Sequence, residues 1–337
     1  MTTIQELAAD ERTARIILAI ASEPGDQVTG SMLRTLGATE TVERAVADTP
    51  PPGPGGDTWQ RRLAPRITSE HIQQVLDGTS RHNLRVLIPG DPEWPSGILA
   101  LGDRAPAALW VKGNPKPLTV PYWDRLGITG ARAATGYGMH VTGEIAGEAI
   151  VDFRQVVSGG AYGVDSAAHQ AALDAAGSTV VVMANGLDRH YPAGNADLFQ
   201  RIERDGVLVS ELPPGAAPTR WRFMQRGRLI AALSGAVVVT EAGVRSGALH
   251  TASSAINLQR PVGAVPGPVT SAASAGCHRL MRDGLASLVA TYEDARELLT
   301  SVRDGAQHAV RVRAGLENDA LDPDVISDRP PHRGLSL

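Results

Sequence analysis

A glycine-rich segment between two apolar stretches is the part of this sequence most suited to binding a phosphate. Ser158-Gly159-Gly160 ends a short apolar run, and Gly163 precedes Asp165 at the start of an alanine-rich stretch. This pattern predicts a strand, a glycine loop and a helix capped by Asp165. A helix N-terminus suits a phosphate, although a tight turn without a ligand explains the same spacing. The G-G-x-x-G order does not match the dinucleotide fingerprint G-x-G-x-x-G.

Three other polar loops follow apolar runs in the same way. Gly130 and Arg132 follow the run 126–129, and an arginine there suits bidentate phosphate binding. The alternative for Arg132 is a salt bridge to Asp165 or Glu241. The candidate phosphate-binding residues of the other two loops are Asn185, Gly186, Asp188, Tyr191, Asn195, Glu241, Arg245, Ser246 and Gly247. Asp188, Tyr191 and Asn195 could equally order their loop.

Glu241 is the one carboxylate in these loops with the position of a catalytic base. It has no histidine or cysteine partner at a recognisable spacing. We therefore expect Glu241 to orient an arginine, and the protein not to be an enzyme. No metal and no cofactor is expected.

Residues 219–228 combine positive charge with aromatic rings. The segment contains four arginines, no acidic residue and two aromatic residues, and its candidate DNA-binding residues are Arg220, Trp221, Arg222, Arg226 and Arg228. Arginines that contact phosphates and rings that stack on bases are typical of sequence-neutral single-strand binding. The alternative is that the aromatic residues belong to the core and the arginines form a solvated face.

The composition limits where a polyanion could bind. The 337 residues carry a formal net charge of −4, so nucleic acid must be attracted by a local patch and not by the whole molecule. A lone Cys277 excludes an internal disulfide and a cysteine-based zinc site, and we expect it to be buried. His169 lies within a predicted helix, and its side chain is expected to serve packing or a backbone hydrogen bond. Without a signal segment or a spanning apolar run, we expect a cytoplasmic protein with no membrane partner.

Alternating short apolar runs and helical stretches predict the fold. Residues 1–82 are expected to form a small helical module with a Pro/Gly-rich loop at 49–56. Residues 83–300 predict an α/β domain: an extended, Rossmann-like, doubly wound and mainly parallel sheet. Residues 301–337 are polar and are expected to be a disordered tail. The carboxyl ends of the strands would bring the four loops to one edge.

Six spaced segments together resemble the DprA/Smf family (DNA-processing protein A). The segments are 130–138, 158–169, 186–195, 223–234, 241–252 and 266–285. The resemblance implies a dimeric single-stranded DNA-binding protein that assists loading of a RecA-type recombinase in natural transformation. It also implies dimer contacts at His278, Met281 and Leu288.

The sequence departs from the family pattern in ways that predict weaker or altered DNA binding. Gly227 replaces a usual asparagine, Tyr162 a usual arginine, and Ala193 a lysine found in some members. The C-terminal winged helix of many members is not seen.

Two other functions stay open. The related cytokinin-activating LOG group suggests a nucleotide sensor or phosphoribohydrolase, although its hallmark P-G-G-x-G-T-x-x-E is absent. The remaining alternative is a scaffold that acts through its N-terminal helices.

Overall fold

The computed structural model describes residues 3–51 and 55–305 of the chain. Among these residues, no helix is both long enough and apolar enough to cross a membrane. Of the expected tail, residues 301–305 continue a helix that spans 292–305, and the rest lies outside the described residues.

Six helices precede the sheet, as the sequence predicts. They are α1 (Ile4–Leu7), α2 (Glu11–Ala21), α3 (Gln27–Leu36), α4 (Ala38–Val46), α5 (Gly56–Leu63) and α6 (Ser69–Arg81). Side chains of Thr3, Asp10, Asp26 and Thr68 accept hydrogen bonds from backbone N–H groups at four of the helix starts.

The strands form one mainly parallel sheet. Its strands are β1 (Arg85–Leu87), β2 (Leu109–Gly113), β3 (Arg125–Thr129), β4 (Gln155–Gly159), β5 (Thr179–Val182), β6 (Val207–Ser210), β7 (Ala236–Val239), β8 (Val262–Ala264) and β9 (Ser287–Leu288). Within the described residues the order is β1-β2-β6-β5-β4-β3-β7-β8-β9. Only the β1–β2 and β2–β6 pairs are antiparallel, and they lie at one edge. The predicted doubly wound α/β fold is therefore confirmed.

Helices cover both faces of this sheet. The helices that follow β3 include α7 (Gly136–Val151), α8 (Val164–Asp174), α9 (Ala196–Asp205), α10 (Arg220–Leu233), α11 (Ala248–Asn257) and α12 (Ala275–Arg282), in addition to the helix 292–305. Successive residues of a strand pack on opposite faces of the sheet. Val156 packs in a cluster with α7 and α8, and Val157 packs in a cluster with α10. Burial on both faces explains why the strands are almost wholly apolar.

The N-terminal helices share a core with the sheet. Ile17 of α2 lies in the same buried cluster as Trp110, Val181 and Phe199. These helices therefore extend the layer that contains α9. That residues 1–82 form a separate helical module stays a prediction.

Two helix starts differ from the sequence prediction. The N-cap of α8 is Gly163, at φ 77°, and it makes no side-chain capping bond, so the predicted Asp165 cap is wrong. The sequence pattern predicts a helix from Gln225 to Leu233, whereas helix α10 begins at Arg220. Thr219 caps it by accepting from the N–H of Arg222. Its first turn has no clear apolar period, which is why the sequence did not indicate a helix there.

The shared core gives a stability prediction. Phe199 is fully buried in that cluster, whereas Phe153 is 95% exposed. Phe199→Ala should lower the free energy of unfolding by about 3–5 kcal/mol, because it removes a packed ring and leaves a cavity. Phe153→Ala should change it by less than about 0.5 kcal/mol. Urea unfolding of both variants checks this, and equal losses would contradict the described packing.

Candidate nucleic-acid interface

A wide cleft lies at the carboxyl edge of the sheet. Strand β3 lies between β4 and β7, so the chain winds outward in both directions from it, and ligands bind doubly wound sheets at such a point. The cleft has a volume of about 960 Å³. It is lined by residues 129–133, the first turns of α10 and the loop 243–247. The expected meeting of loops from separate strands is thus present in the structure.

A buried ion pair forms the floor of the cleft. Asp165 is 2% exposed and accepts hydrogen bonds from Nη2 of Arg226 (3.1 Å), Oγ1 of Thr129 (3.1 Å) and the N–H of Ala161 (3.3 Å). A Cβ on Gly159 would lie 2.2 Å from Cζ of Arg226. The glycine loop is therefore shaped to admit this arginine, and its Ala161 N–H is already bonded to a carboxylate.

The other predicted glycines also have close neighbours. A Cβ on Gly130 would meet Val164, one on Gly160 would meet Met183, and one on Gly163 would meet backbone oxygen atoms of the 131–132 segment. Each approach would be under 3.0 Å. These glycines are needed by the packing of the site, whether or not a phosphate binds.

Phe223 organises the arginines at the cleft wall. Cζ of Arg132 lies 4.4 Å from the ring centroid and Cζ of Arg226 lies 5.3 Å from it. The ring of Tyr191, which is 41% exposed, lies 5.9 Å away. Arg132 thus packs on an aromatic ring and forms neither of the salt bridges weighed from the sequence.

The environment of Arg226 opposes its charge. Burial lowers the pKa of this guanidinium, the charge of Asp165 raises it, and the neighbouring Arg132 lowers it. Arg226 therefore depends on Asp165 as its partner. The positive charge of Arg226 at the cleft floor is therefore largely neutralised by Asp165.

Three arginines at the rim remain available to a ligand. Arg132, Arg220 and Arg245 are exposed, and none forms an ion pair within residues 3–51 and 55–305. Trp221, next to Arg220, is 52% exposed. This exposure agrees with the predicted binding role of Arg220 and Trp221 and contradicts the alternative that Trp221 is a core residue.

Two other predicted DNA-binding arginines are engaged elsewhere. Arg228 is 3% exposed and donates two hydrogen bonds to Glu211, at 2.7 and 2.8 Å. Arg222 donates two to Glu23, both at 3.1 Å. The prediction that Arg228 contacts DNA is wrong because its guanidinium is buried in an ion pair. Arg222 joins α10 to the N-terminal helices.

Several predicted polar residues hold the loops in place. Oγ of Ser158 donates to the carbonyl of Ile128, and Nδ2 of Asn195 donates to the carbonyls of Gly160 and Ala161. Ser158 is fully buried and Asn195 is 9% exposed. These side chains fix the loop after β4.

The loop after β5 is fixed similarly. Nδ2 of Asn185 donates to the carbonyl of Gly186, and Asp188 accepts from the N–H of Gly215 at 2.7 Å. Asn185 is 1% exposed, and a Cβ on Gly186 would meet the carbonyl of Pro213. Of the two roles weighed for Asp188, this bond shows loop ordering.

Glu241 orients a threonine and not an arginine. It accepts from the N–H and the Oγ1 of Thr135, both at 2.7 Å, and is 2% exposed. Thr135 in turn caps α7. The expected arginine partner is therefore wrong, and a buried, bonded carboxylate is poorly placed to act as a base. In the same loop, Oγ of Ser246 accepts a hydrogen bond from the N–H of Ala248, and a Cβ on Gly247 would meet no atom within 4 Å.

His169 and Cys277 are buried, as predicted. Nε2 of His169 donates to the carbonyl of Gly159 at 3.0 Å, and burial lowers its pKa to about 4. Burial raises the pKa of the Cys277 thiol to about 11. Neither side chain is available for chemistry in the cleft.

The predicted dimer residues are not equally exposed. Leu288 lies on the edge strand β9 and is 56% exposed, with Leu285 46% exposed nearby in sequence. Met281 packs partly on the core, and Nε2 of His278 donates to the carbonyl of Gly267. Only Leu288 of the three predicted residues offers a largely exposed apolar side chain.

Sequence reasoning missed the roles of Phe223, Thr129 and Thr135. Phe223 lies between the two cleft arginines, and the two threonines bond the buried carboxylates. The three-residue spacing of Phe223 and Arg226, which places both on one helix face once α10 is extended to its true start, was a signal for this contact.

The fold and the cleft define a doubly wound α/β protein with a basic site at its strand ends. Residues 85–300 match the family model described as DNA recombination-mediator protein A, and the chain belongs to that family.

Relatives resemble the chain over most of its length. A Mycobacterium tuberculosis protein named as a DNA-processing protein DprA is 40% identical over 329 residues, covering 95% of this chain and 83% of its own. The crystal structure of Streptococcus pneumoniae DprA aligns with a TM-score of 0.69 at 26% identity, over 88% of this chain and 97% of the other. A Helicobacter pylori DprA structure, described by its single-stranded DNA binding mode, aligns with a TM-score of 0.58 at 29% identity, over 66% and 96%.

The buried ion pair gives a second stability prediction. Arg226→Gln leaves Asp165 buried without a cation, and the free energy of unfolding should fall by about 3–5 kcal/mol. Arg132→Gln is the control, because that side chain is exposed and forms no ion pair; loss of its contact with the Phe223 ring should cost only about 0.5–1 kcal/mol. Asp165→Asn in the Arg226→Gln background should recover part of the loss. Denaturant titration of these three variants and of Asp165→Asn alone decides, and strict additivity of the Arg226 and Asp165 changes would contradict the pairing.

Proposed function

We propose that this chain binds single-stranded DNA in the cleft at the carboxyl edge of the sheet. The observation that carries the proposal is the set of three exposed, unpaired arginines at the cleft rim: Arg132, Arg220 and Arg245. Asp165 is the one carboxylate in the cleft lining among the described residues, and it is already paired with Arg226. A net-acidic protein can hold a polyanion only through such a local positive surface.

Exposed aromatic rings favour an unpaired strand over a duplex as the ligand. Trp221 is beside the Arg220 rim position, and Tyr191 lines the cleft. Rings of this kind stack on the faces of unpaired bases without regard to sequence, and stacking contributes about 1–3 kcal/mol per base. A duplex does not expose these faces.

The comparisons support the same ligand and extend the proposal. The family description names recombination mediation, and the H. pylori relative is described as binding single-stranded DNA. We propose that this chain likewise acts as a homodimer that assists a RecA-type recombinase, in DNA uptake by natural transformation.

A free nucleotide is the second candidate ligand, since it would fit the same cleft. The burial of Glu241 and its bonds to Thr135 speak against phosphoribohydrolase chemistry at this carboxylate. Competition between mononucleotides and a labelled oligonucleotide separates the two functions.

The rim arginines give the central functional prediction. Arg132→Gln, Arg220→Gln and Arg245→Gln combined should flatten the dependence of log affinity on log salt by roughly 2 units, at about 0.7 per lost phosphate contact. Trp221→Ala should weaken binding by about 1–3 kcal/mol with the slope nearly unchanged.

Fluorescence anisotropy with labelled oligo(dT) measures both quantities. Arg204→Gln is the control, because Arg204 is also exposed and forms no ion pair among the described residues, yet does not line the cleft. If the triple variant and the control give the same slope, the cleft is not the binding surface.

The edge strand gives a prediction about assembly. Leu288→Asp would bury a charge at an interface through β9 and should convert a dimer to a monomer. Leu99→Asp is the matched control, because Leu99 is 76% exposed in another part of the chain. Light scattering measures the mass; a monomeric unmodified protein, or a dimer that survives Leu288→Asp, would refute this interface.

A further inference from the structure

A second cavity lies between the N-terminal helices and the sheet domain. It has a volume of about 550 Å³ and is bounded by α6, the end of α2 and the loop 212–216. We name it the α6 groove.

One face of α6 forms the length of this groove. Its lining residues on and just after that helix recur every three or four positions: His71, Gln74, Val75, Gly78, Arg81 and His82. The ten residue steps from His71 to Arg81 span about 15 Å at 1.5 Å per residue. That length matches roughly four stacked nucleotides at about 3.4 Å each.

The opposite wall is apolar and close. Leu212, Pro213 and Pro214 line it, and a Cβ on Gly78 would lie only 3.3 Å from Cγ of Pro214. Helix and wall are therefore in near contact at position 78. A side that carries Arg81, facing an apolar side, suits phosphates on one flank of a strand and bases on the other.

The charges in the groove favour an anion. Arg66, Arg81 and Arg222 line it together with two carboxylates. Both carboxylates are already in ion pairs: Glu23 with Arg66 and Arg222, and Asp188 with Arg189. Arg81 is exposed and forms no ion pair in the described part of the chain.

The start of α10 connects this groove with the cleft. Arg220 lines the cleft, Arg222 lines the α6 groove, and the half-exposed Trp221 lies between them in the chain. The preceding loop is shared in the same way, with Ala216 in the groove and Pro218 in the cleft.

We propose that single-stranded DNA leaving the cleft passes Trp221 and continues along the α6 groove, where Arg81 contacts its backbone. The inference rests on the proposed binding of DNA in the cleft. It gives the N-terminal helices a direct role in binding, in addition to their packing on the sheet.

A series of oligo(dT) lengths tests this path. Arg81→Gln should leave the affinity for a strand of about 6 nucleotides unchanged, because such a strand fills the cleft alone. For a strand of about 20 nucleotides it should weaken binding several-fold and flatten the salt slope by roughly 0.7. Arg81→Glu should weaken it further, and Arg204→Gln should match the unmodified protein at both lengths.

Four results would overturn the inference. Arg81→Gln could bind the long strand as tightly as the unmodified protein, or weaken both lengths equally, and either outcome removes the extended path. If the unmodified protein binds neither length, or the rim arginine variants bind the short strand normally, the proposed function itself fails and the groove proposal fails with it.

Discussion

The buried ion pair between Arg226 and Asp165 is the interaction on which the site depends. It joins α10 to the start of α8, and Asp165 adds bonds to β3 and to the glycine loop. Two charges removed from water are stable only when they are paired with each other. These elements therefore cannot separate without leaving a charge exposed or buried without a partner. The absence of a Cβ at Gly159 follows from the same contact, since the guanidinium occupies that space. The cleft floor is therefore rigid and nearly neutral, and the ligand-binding charge lies at the rim.

The arginines of residues 219–228 divide between structure and binding. Arg222, Arg226 and Arg228 each pair with a carboxylate on a different element, whereas Arg220 is free in the described structure. Helix α10 is thus anchored to the N-terminal helices, to α8 and to the end of β6. A helix held at three points can present Arg220 and Trp221 in a fixed orientation, which reduces the ordering cost of binding.

The sequence predicts the fold well and the use of its charges poorly. Apolar runs of four to five residues report burial on both faces, and the parallel-sheet geometry then places loops such as 130–138 and 241–247 at one edge. It does not reveal that Arg222 meets Glu23, 199 positions away, or that Arg226 meets Asp165, 61 positions away. A run of arginines has the same pattern whether its partners are distant carboxylates or phosphates. The early start of α10 was missed because a threonine cap and these ion pairs, and not apolar periodicity, stabilise its first turn.

Photo-crosslinking of a bromodeoxyuridine-substituted single strand, with the attached peptides mapped by mass spectrometry, tests the central claim most directly. An excited base reacts with residues it contacts, so the measurement locates the strand without any substitution in the protein. The account predicts attachment within residues 218–226 and 243–250, which line the cleft. Attachment confined to the opposite side of the molecule, such as the exposed turn at Phe153, would contradict it.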